Sequence, residues 1–329
     1  MPKIELHLHL EGAFTFEFLF GLIQKYGGDP GIMTIQDLQN KFVFKDFSHF
    51  IETWFWKNKY FRRPEDFEAS TFYTLENLHR QNVIYCEVFF SPWDFTSSGL
   101  KVEEIAEATI AGKVKAENEF GIRCNLIADI VRDYGAGGAI NRLKQITPFL
   151  NKGVIGLGLG GSEQKYPAQD FAAVYHEARK LGFHLTAHAG EAAGPESVWA
   201  AVEQLGVERI GHGVRAVEDT RLVEVLKQKQ IPLEICITSN LKTQIYPTAE
   251  AHPFKYLFEQ GLRVTLNSDD PTMFGATITD EFLLAHEQLH FSLDDLQKLT
   301  GNAIQAAFIP TVLKSDLNRK IETYWQSIK

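Results

Sequence analysis

The sequence predicts an α/β chain: a (β/α)8 barrel of the TIM type with a helical, aromatic-rich insertion after its first strand. Three observations carry this. Eight short apolar runs, rich in β-branched and aromatic residues, recur along the 329 residues. Amphipathic stretches with apolar residues at helical spacing separate them. No G-x-G-x-x-G turn follows the first run, as the open sheet of a dinucleotide-binding fold would require. Strand alternating with helix implies parallel pairing, and eight such units point to a barrel. One domain spanning 1–329 is expected, because α/β barrels exceed the usual domain size as single units.

The elements follow in order. IELHLHL (4–10) is the first strand. Residues i and i+2 of a strand point the same way, so His7 and His9 project together and Leu6, Leu8 and Leu10 project oppositely. The insertion, residues 14–80, holds the block FVFKDFSHFIETWFWKNKYFRRPEDF. Its Phe42, Phe44, Phe47, Phe50, Trp54, Phe55 and Trp56 suit either helices on the barrel flank or an aromatic lid over a flat ligand. A helix over 65–81 ends it. The later strands are VIYCEVFF (83–90), IRCNLIADIV (122–131), VIGLGLGG (154–161), HLTAHAG (184–190), RIGHGV (209–214), IPLEICIT (231–238) and RVTLNSDD (263–270). Helices are expected over 102–120, 137–150, 168–181, 195–206, 218–229, 250–260 and 279–290. Glycine just before several strands is the C-cap signal.

Bulk composition excludes several functions. Lys plus Arg is 33 and Asp plus Glu is 42, a net charge of −9. Without a basic stripe the chain is a poor partner for nucleic acid or an anionic membrane. The three cysteines, Cys86, Cys124 and Cys236, are scattered singly, as expected of buried thiols in a reducing compartment. No run approaches the ~18 apolar residues of a membrane helix, and too few residues precede His7 for a signal peptide. The expectation is a cytoplasmic protein, with a small-molecule partner and a possible homo-oligomer.

The polar residues fall where a barrel enzyme builds its active site, at the C-terminal ends of the strands. His7 and His9 end the first, Gly160-Gly161 the fourth, His188 the fifth, His212 the sixth and Asp269-Asp270 the eighth. Burying such groups is expensive unless something pairs with them. Three imidazoles and a carboxylate, His7, His9, His188 and Asp269, suit one Zn2+ per chain. Glu191, three residues past His188, is placed to act as a general acid. Asp270 faces differently from Asp269 and is free to meet substrate. The remaining histidines lie on helices, loops or strand starts and read as structural or surface residues.

Jointly, PKIELHLHLEG, SPWDF, GLGGSE, HAGE, RIGHG, SNLKT and NSDDP resemble the adenosine/adenine deaminase group of the amidohydrolase superfamily. The resemblance runs from Pro2 to about Gly275. It implies a zinc-dependent hydrolytic deaminase of a 6-aminopurine, with zinc on His7, His9, His188 and Asp269. It implies Glu191 as the acid at purine N1 and His212 as the base that deprotonates the attacking water. Substrate contacts would come from His9, Glu11, Gly161 (its backbone N–H to N3) and Asp270 (to N7).

Adenosine is the first expected substrate. Free adenine or a 5′-modified adenosine such as aminodeoxyfutalosine is the alternative. Three departures bear on the sugar side: Glu11, where adenosine-preferring members carry Asp, Phe89 where many carry Arg, and Gly158 where many carry Asp. A barrel metallohydrolase of another kind would bring a bridging lysine at the end of the fourth strand, and none stands there. A non-catalytic binding protein would need neither Glu191 nor His212.

Overall fold

The structure, a computed structural model, describes residues 1–328. Eight strands run in sequence order around one sheet: β1 (Lys3–His9), β2 (Val83–Phe90), β3 (Arg123–Val131), β4 (Val154–Gly160), β5 (His184–Ala189), β6 (Arg209–His212), β7 (Leu233–Ile235) and β8 (Val264–Leu266). Every neighbouring pair is parallel. The seam between β8 and β1 is closed mainly by the segment after β8. His9 N–H donates to the Asp269 carbonyl and Asp269 N–H donates to the His7 carbonyl, both at 2.9 Å. The Asn267 side chain accepts from Leu6 N–H at 3.0 Å. The barrel thus closes on the residues that carry the candidate site.

Three strands are clearly shorter than the sequence suggests: β6 stops at His212, two residues before the end of the run 209–214, and β7 and β8 lose more. The run 231–238 gives only Leu233–Ile235, because Ile237–Lys242 winds into a helix. The run 263–270 stops at Leu266, so Asp269 and Asp270 stand in the loop beyond β8 rather than on it. Asp269 adopts φ +62° and His212 φ +58°. That left-handed region is uncommon for residues with a Cβ and is tolerated where the surroundings enforce it.

Alternation on β1 sorts the chemistry. Leu6 and Leu8 pack outward into apolar cores, while Glu5, His7 and His9 turn into the barrel. The barrel interior is polar near its floor. Arg209 lies 2.5 Å from Glu87 and 2.5 Å from Glu234, all fully buried. Its guanidinium stacks 3.6 Å from the Phe308 ring, which also stacks on His184. Phe308, just past the helix Leu293–Ala306, plugs the N-terminal end.

The insertion supplies four helices: α1 (Phe16–Lys25), α2 (Ile35–Lys41), α3 (Phe47–Asn58) and α4 (Pro64–Arg80). Their boundaries follow local signals. Thr34 and Asp37 form a capping box, Asp46 caps α3 by accepting from His49 N–H, and Pro64 opens α4. The aromatic block forms a second apolar core with Phe14, Phe61, Phe67, Phe95 and Phe274, against the C-terminal mouth of the barrel. Among the described residues, no helix is long and apolar enough to cross a membrane.

Candidate active site

His7 and His9 (β1), His188 (β5) and Asp269 (after β8) converge at the mouth, each offering one ligand atom within 4.8 Å of the others. His7 Nε2 stands 3.0 Å from His188 Nε2, and His9 Nε2 stands 3.1 Å from the same atom. Asp269 Oδ1 is 3.5 Å from both His7 and His9. The outer nitrogens decide what these contacts are. His7 Nδ1 donates to Glu234 Oε2 at 2.8 Å and His188 Nδ1 donates to the Leu159 carbonyl at 3.1 Å. With these acceptors in place His188 Nε2 carries a lone pair aimed at His7 Nε2. Although burial lowers His7, Asp269 and Glu234 more than offset it and raise it to about 10, so the cluster calls for positive charge between the rings. The donor set, three imidazoles and one carboxylate, therefore fits a divalent metal of the zinc type.

A second grouping, His7, His212, Cys236 and Asp269, also meets the distance test. It is the weaker one. Burial pushes the Cys236 thiol well above its ordinary pKa, and its sulfur is occupied with the Glu234 carbonyl at 3.6 Å. A metal would need the thiolate.

Glu191 and His212 flank the cluster. Glu191 Oε2 lies 3.6 Å from His212 Nε2, and His212 Nε2 lies 3.9 Å from Asp269 Oδ2. Burial, then the charges of Asp269 and Glu163, push the Glu191 carboxyl well above the usual carboxylate range. It is a buried acid that holds its proton. Burial lowers His212 to about 4, so the imidazole is neutral and keeps a lone pair that can accept a proton. Asp270 is likewise raised, by burial and by Asp269 beside it. Its close neighbour is Gly12, where a Cβ would stand 1.7 Å from Asp270 Oδ1. Only glycine lets β1's end pass so near.

The cleft, about 600 Å³, is lined by Asp129, Gly161, Glu191, His212, Asp269 and Asp270 among others. Phe47, Phe50, Ile51, Trp54 and Phe55 of α3 cover it. The aromatic block is thus divided by helical register. Phe42 packs with Phe14 and Phe16, and Trp56 Nε1 donates to Asp29, both away from the cleft. Glu11 stands one step back, behind Ser91, whose N–H donates to Glu11 Oε1 at 2.8 Å. Burial raises Glu11 to about 7. Lys57 of α3 is fully buried beside Trp54, and the charges of Glu11, Asp270 and Asp94 partly offset the burial that lowers it to about 8.

Sequence reasoning did not assign the residues that hold these groups in place. Glu163 accepts four backbone N–H bonds from the turn bearing Glu191: Gly190 at 2.6 Å, Glu191 at 3.2 Å, and Ala192 and Ala193 at 2.9 Å. Arg132 donates to the His188 carbonyl at 2.6 Å. Asn240 approaches His212 Nδ1 at 3.4 Å and is itself held by His252 at 3.1 Å. Glu163 and Asn240 lie inside GLGGSE and SNLKT, so the motifs contained the signal. Glu234 sits within an apolar run and Arg132 just past the end of one, and neither position gave a signal.

The family model described as adenosine deaminase matches residues 2–324. The chain belongs to the adenosine deaminase family. It is accordingly a hydrolytic deaminase acting on a purine ring, as the motifs implied. An adenine deaminase of Crocosphaera subtropica is 35% identical, across 96% of this chain and 97% of its own. The crystal structure of an adenine deaminase from Arthrobacter aurescens superposes with a TM-score of 0.95 at 30% identity, covering 99% of both chains. An amidohydrolase from Burkholderia ambifaria with bound zinc gives 0.91 at 26%, covering 99% of this chain and 92% of that one. The two solved structures share the barrel expected from the sequence.

Proposed function

We propose that this protein is a zinc-dependent adenine deaminase, converting adenine and water to hypoxanthine and ammonia. The convergence of three imidazoles and one carboxylate, His7, His9, His188 and Asp269, carries the metal part of this reading. The metal's identity rests on that donor set and on the zinc-bound relative. Adenine replaces adenosine, the first expectation, because the near full-length relatives are named adenine deaminases. The cleft supports the change. Among the described residues its lining holds no Lys or Arg, and Lys57, the buried cation nearby, is surrounded by Glu11, Asp94 and Asp270. A nucleotide phosphate would meet no free cation there.

Zinc bound to His7, His9, His188 and Asp269 would supply the Lewis acidity that makes water a nucleophile near neutral pH. The chain's own groups do the rest. His212 takes the proton from the attacking water as its oxygen bonds to C6. Glu191, protonated by its burial, gives its proton to N1 as charge builds on the ring. Asp270 faces N7, the Gly161 N–H faces N3, and His9 and Glu11 stand on the remaining edge. The C6–N bond then breaks, ammonia leaves with the proton that His212 holds, and the C6 hydroxyl gives its proton back to Glu191 as the carbonyl forms. Phe50, Trp54 and Phe274, packed on one another, give a flat ring an apolar wall that sheds bulk water.

The test is ammonia release from adenine, adenosine and AMP at equal zinc content. Adenine is expected to give the highest kcat/KM. Adenosine as the best substrate would restore the nucleoside reading, and AMP as the best would overturn this account of the pocket. Glu191→Gln should keep its zinc and lose ~10²–10⁴ in kcat; near-normal turnover would refute the assigned acid.

A further inference from the structure

One buried carboxyl in the cleft has no task in the mechanism above. Asp129 lies on the inward face of β3, two residues before its end, is 2% exposed, and lines the cleft with Ser91 and Gly161. Among the described residues its Oδ1 has no hydrogen-bond partner. Nearby cations are engaged elsewhere. Arg132 donates to the Tyr166 and His188 carbonyls, and Lys57 to Asn58. Instead Asp129 faces Glu11 and Asp94, whose charges add to the effect of its burial. An unpaired buried carboxyl is costly, and native structures rarely keep one without a use.

The chain also makes room for it. Asp129 is paired in register with Gly158 of β4. A Cβ at Gly158 would stand 2.7 Å from Asp129 Oδ1 and 2.8 Å from the Phe89 ring. A Cβ at Gly160 would stand 2.5 Å from Oδ2. The carboxyl therefore lies flat over two glycines, in space that any side chain at 158 or 160 would take. The Phe89 ring borders the same space at Gly158, so the carboxyl's surroundings are an apolar ring, glycine backbone and the cleft.

The order of groups around the barrel mouth says which ring edge it meets. Around a purine from C6 the heteroatoms run N1, N3, N9, N7. Around the mouth, Glu191 follows β5, Gly161 follows β4 and Asp270 follows β8. In the pose proposed above these face N1, N3 and N7. N9 then falls between β4 and β8 on the side of β1 to β3, where Asp129 lines the cleft and Glu11 is held back by Ser91.

We infer that Asp129 is a specificity-determining residue: its carboxyl accepts the N9–H of a free purine base and thereby selects the base over N9-substituted purines. The inference rests on the adenine deaminase reading. A carboxyl offers an acceptor oxygen in either protonation state. An N9 substituent removes the donor and adds bulk at the carboxyl, so the buried oxygen stays unpaired and the substrate is rejected.

The experiment compares kcat/KM for adenine and 9-methyladenine in zinc-matched wild type, Asp129→Ala and Asp129→Asn. Wild type should favour adenine. Asp129→Ala should lower adenine turnover by ~10-fold or more, the usual effect of one lost buried hydrogen bond, while 9-methyladenine is unchanged or improved. Asp129→Asn keeps a carbonyl acceptor and should stay within ~3-fold of the wild-type ratio. Gly158→Ala, which crowds the carboxyl without deleting it, should shift the ratio in the same direction and serves if Asp129→Ala does not fold. Equal losses on both substrates would make Asp129 merely structural and overturn the inference, as would an unchanged ratio. Those outcomes leave adenine deamination standing. A wild type inactive on adenine would instead remove the parent reading and this inference together.

Discussion

Glu234→Gln tests whether the barrel floor controls the metal. Glu234 is fully buried between Arg209, 2.5 Å from its Oε1, and His7 Nδ1, 2.8 Å from its Oε2. The Arg209 contact lies off the hydrogen-bond axis, so charge attraction dominates it. Burial alone would raise the Glu234 carboxyl, yet Arg209 and His7 more than offset it and hold it below its ordinary range. The charged form therefore fixes the His7 proton on Nδ1 and points the Nε2 lone pair at the metal cluster. The amide keeps the shape but not the charge, and it can present its NH2 to His7 as easily as its oxygen. Changes of this kind weaken metal binding by ~10–100-fold, or about 1.4–2.7 kcal/mol. Stability should fall too. Removing one partner of a buried ion pair costs about 3–5 kcal/mol; Glu87, still 2.5 Å from Arg209, keeps the loss at or below the low end of that range. The assay is zinc competition against a chelator of known affinity, with thermal unfolding of the metal-free protein alongside. A variant that binds zinc as tightly as wild type would refute the coupling, even if its Tm dropped.

Three further outcomes are expected. Gly12→Ala puts a methyl 1.7 Å from Asp270 Oδ1, so it should raise KM for the purine at full zinc content; an unchanged KM would remove Asp270 from the substrate edge. Glu163→Gln turns one of two oxygens facing four N–H groups into a donor, and kcat should fall by ~10-fold or more through a displaced Glu191, which a normal kcat with intact zinc would contradict. His252 is buried and lowered by that burial to about 3, against an ordinary 6.5. The unfolded chain binds its proton first, so this residue's stabilising contribution is present above pH ~6.5 and declines as pH falls towards 3, at no more than about 1.4 kcal/mol per unit. Denaturant unfolding from pH 7 to 5 should show a shallower loss in His252→Gln than in wild type; parallel curves would exclude the effect.

What was readable in the sequence divides by range. The H-x-H of β1 was legible because a period of two needs only neighbouring residues, and eight β/α units survive errors in any one of them. The ends of β7 and β8 were not legible. IPLEICIT stays apolar across the point where Ile237 enters a helix, and nothing local announces that Asp269 takes a positive φ to meet β1. The aromatic block was visible as a block, but only the phase of α3 separates Phe50 and Trp54 in the roof from Trp56 outside it, and Phe42 lies at the end of the preceding helix. The substrate side shows the limit most clearly. Glu11, Phe89 and Gly158 stood out singly as departures. Asp129 did not, being one acid in the apolar run IRCNLIADIV. Its meaning depends on the register of β3 against β4, which sets Asp129 opposite Gly158, and on both glycines lacking a Cβ. A carboxyl that looks surplus on one strand and a side chain that looks missing on the next describe a single arrangement, and only pairing the strands puts the two facts together.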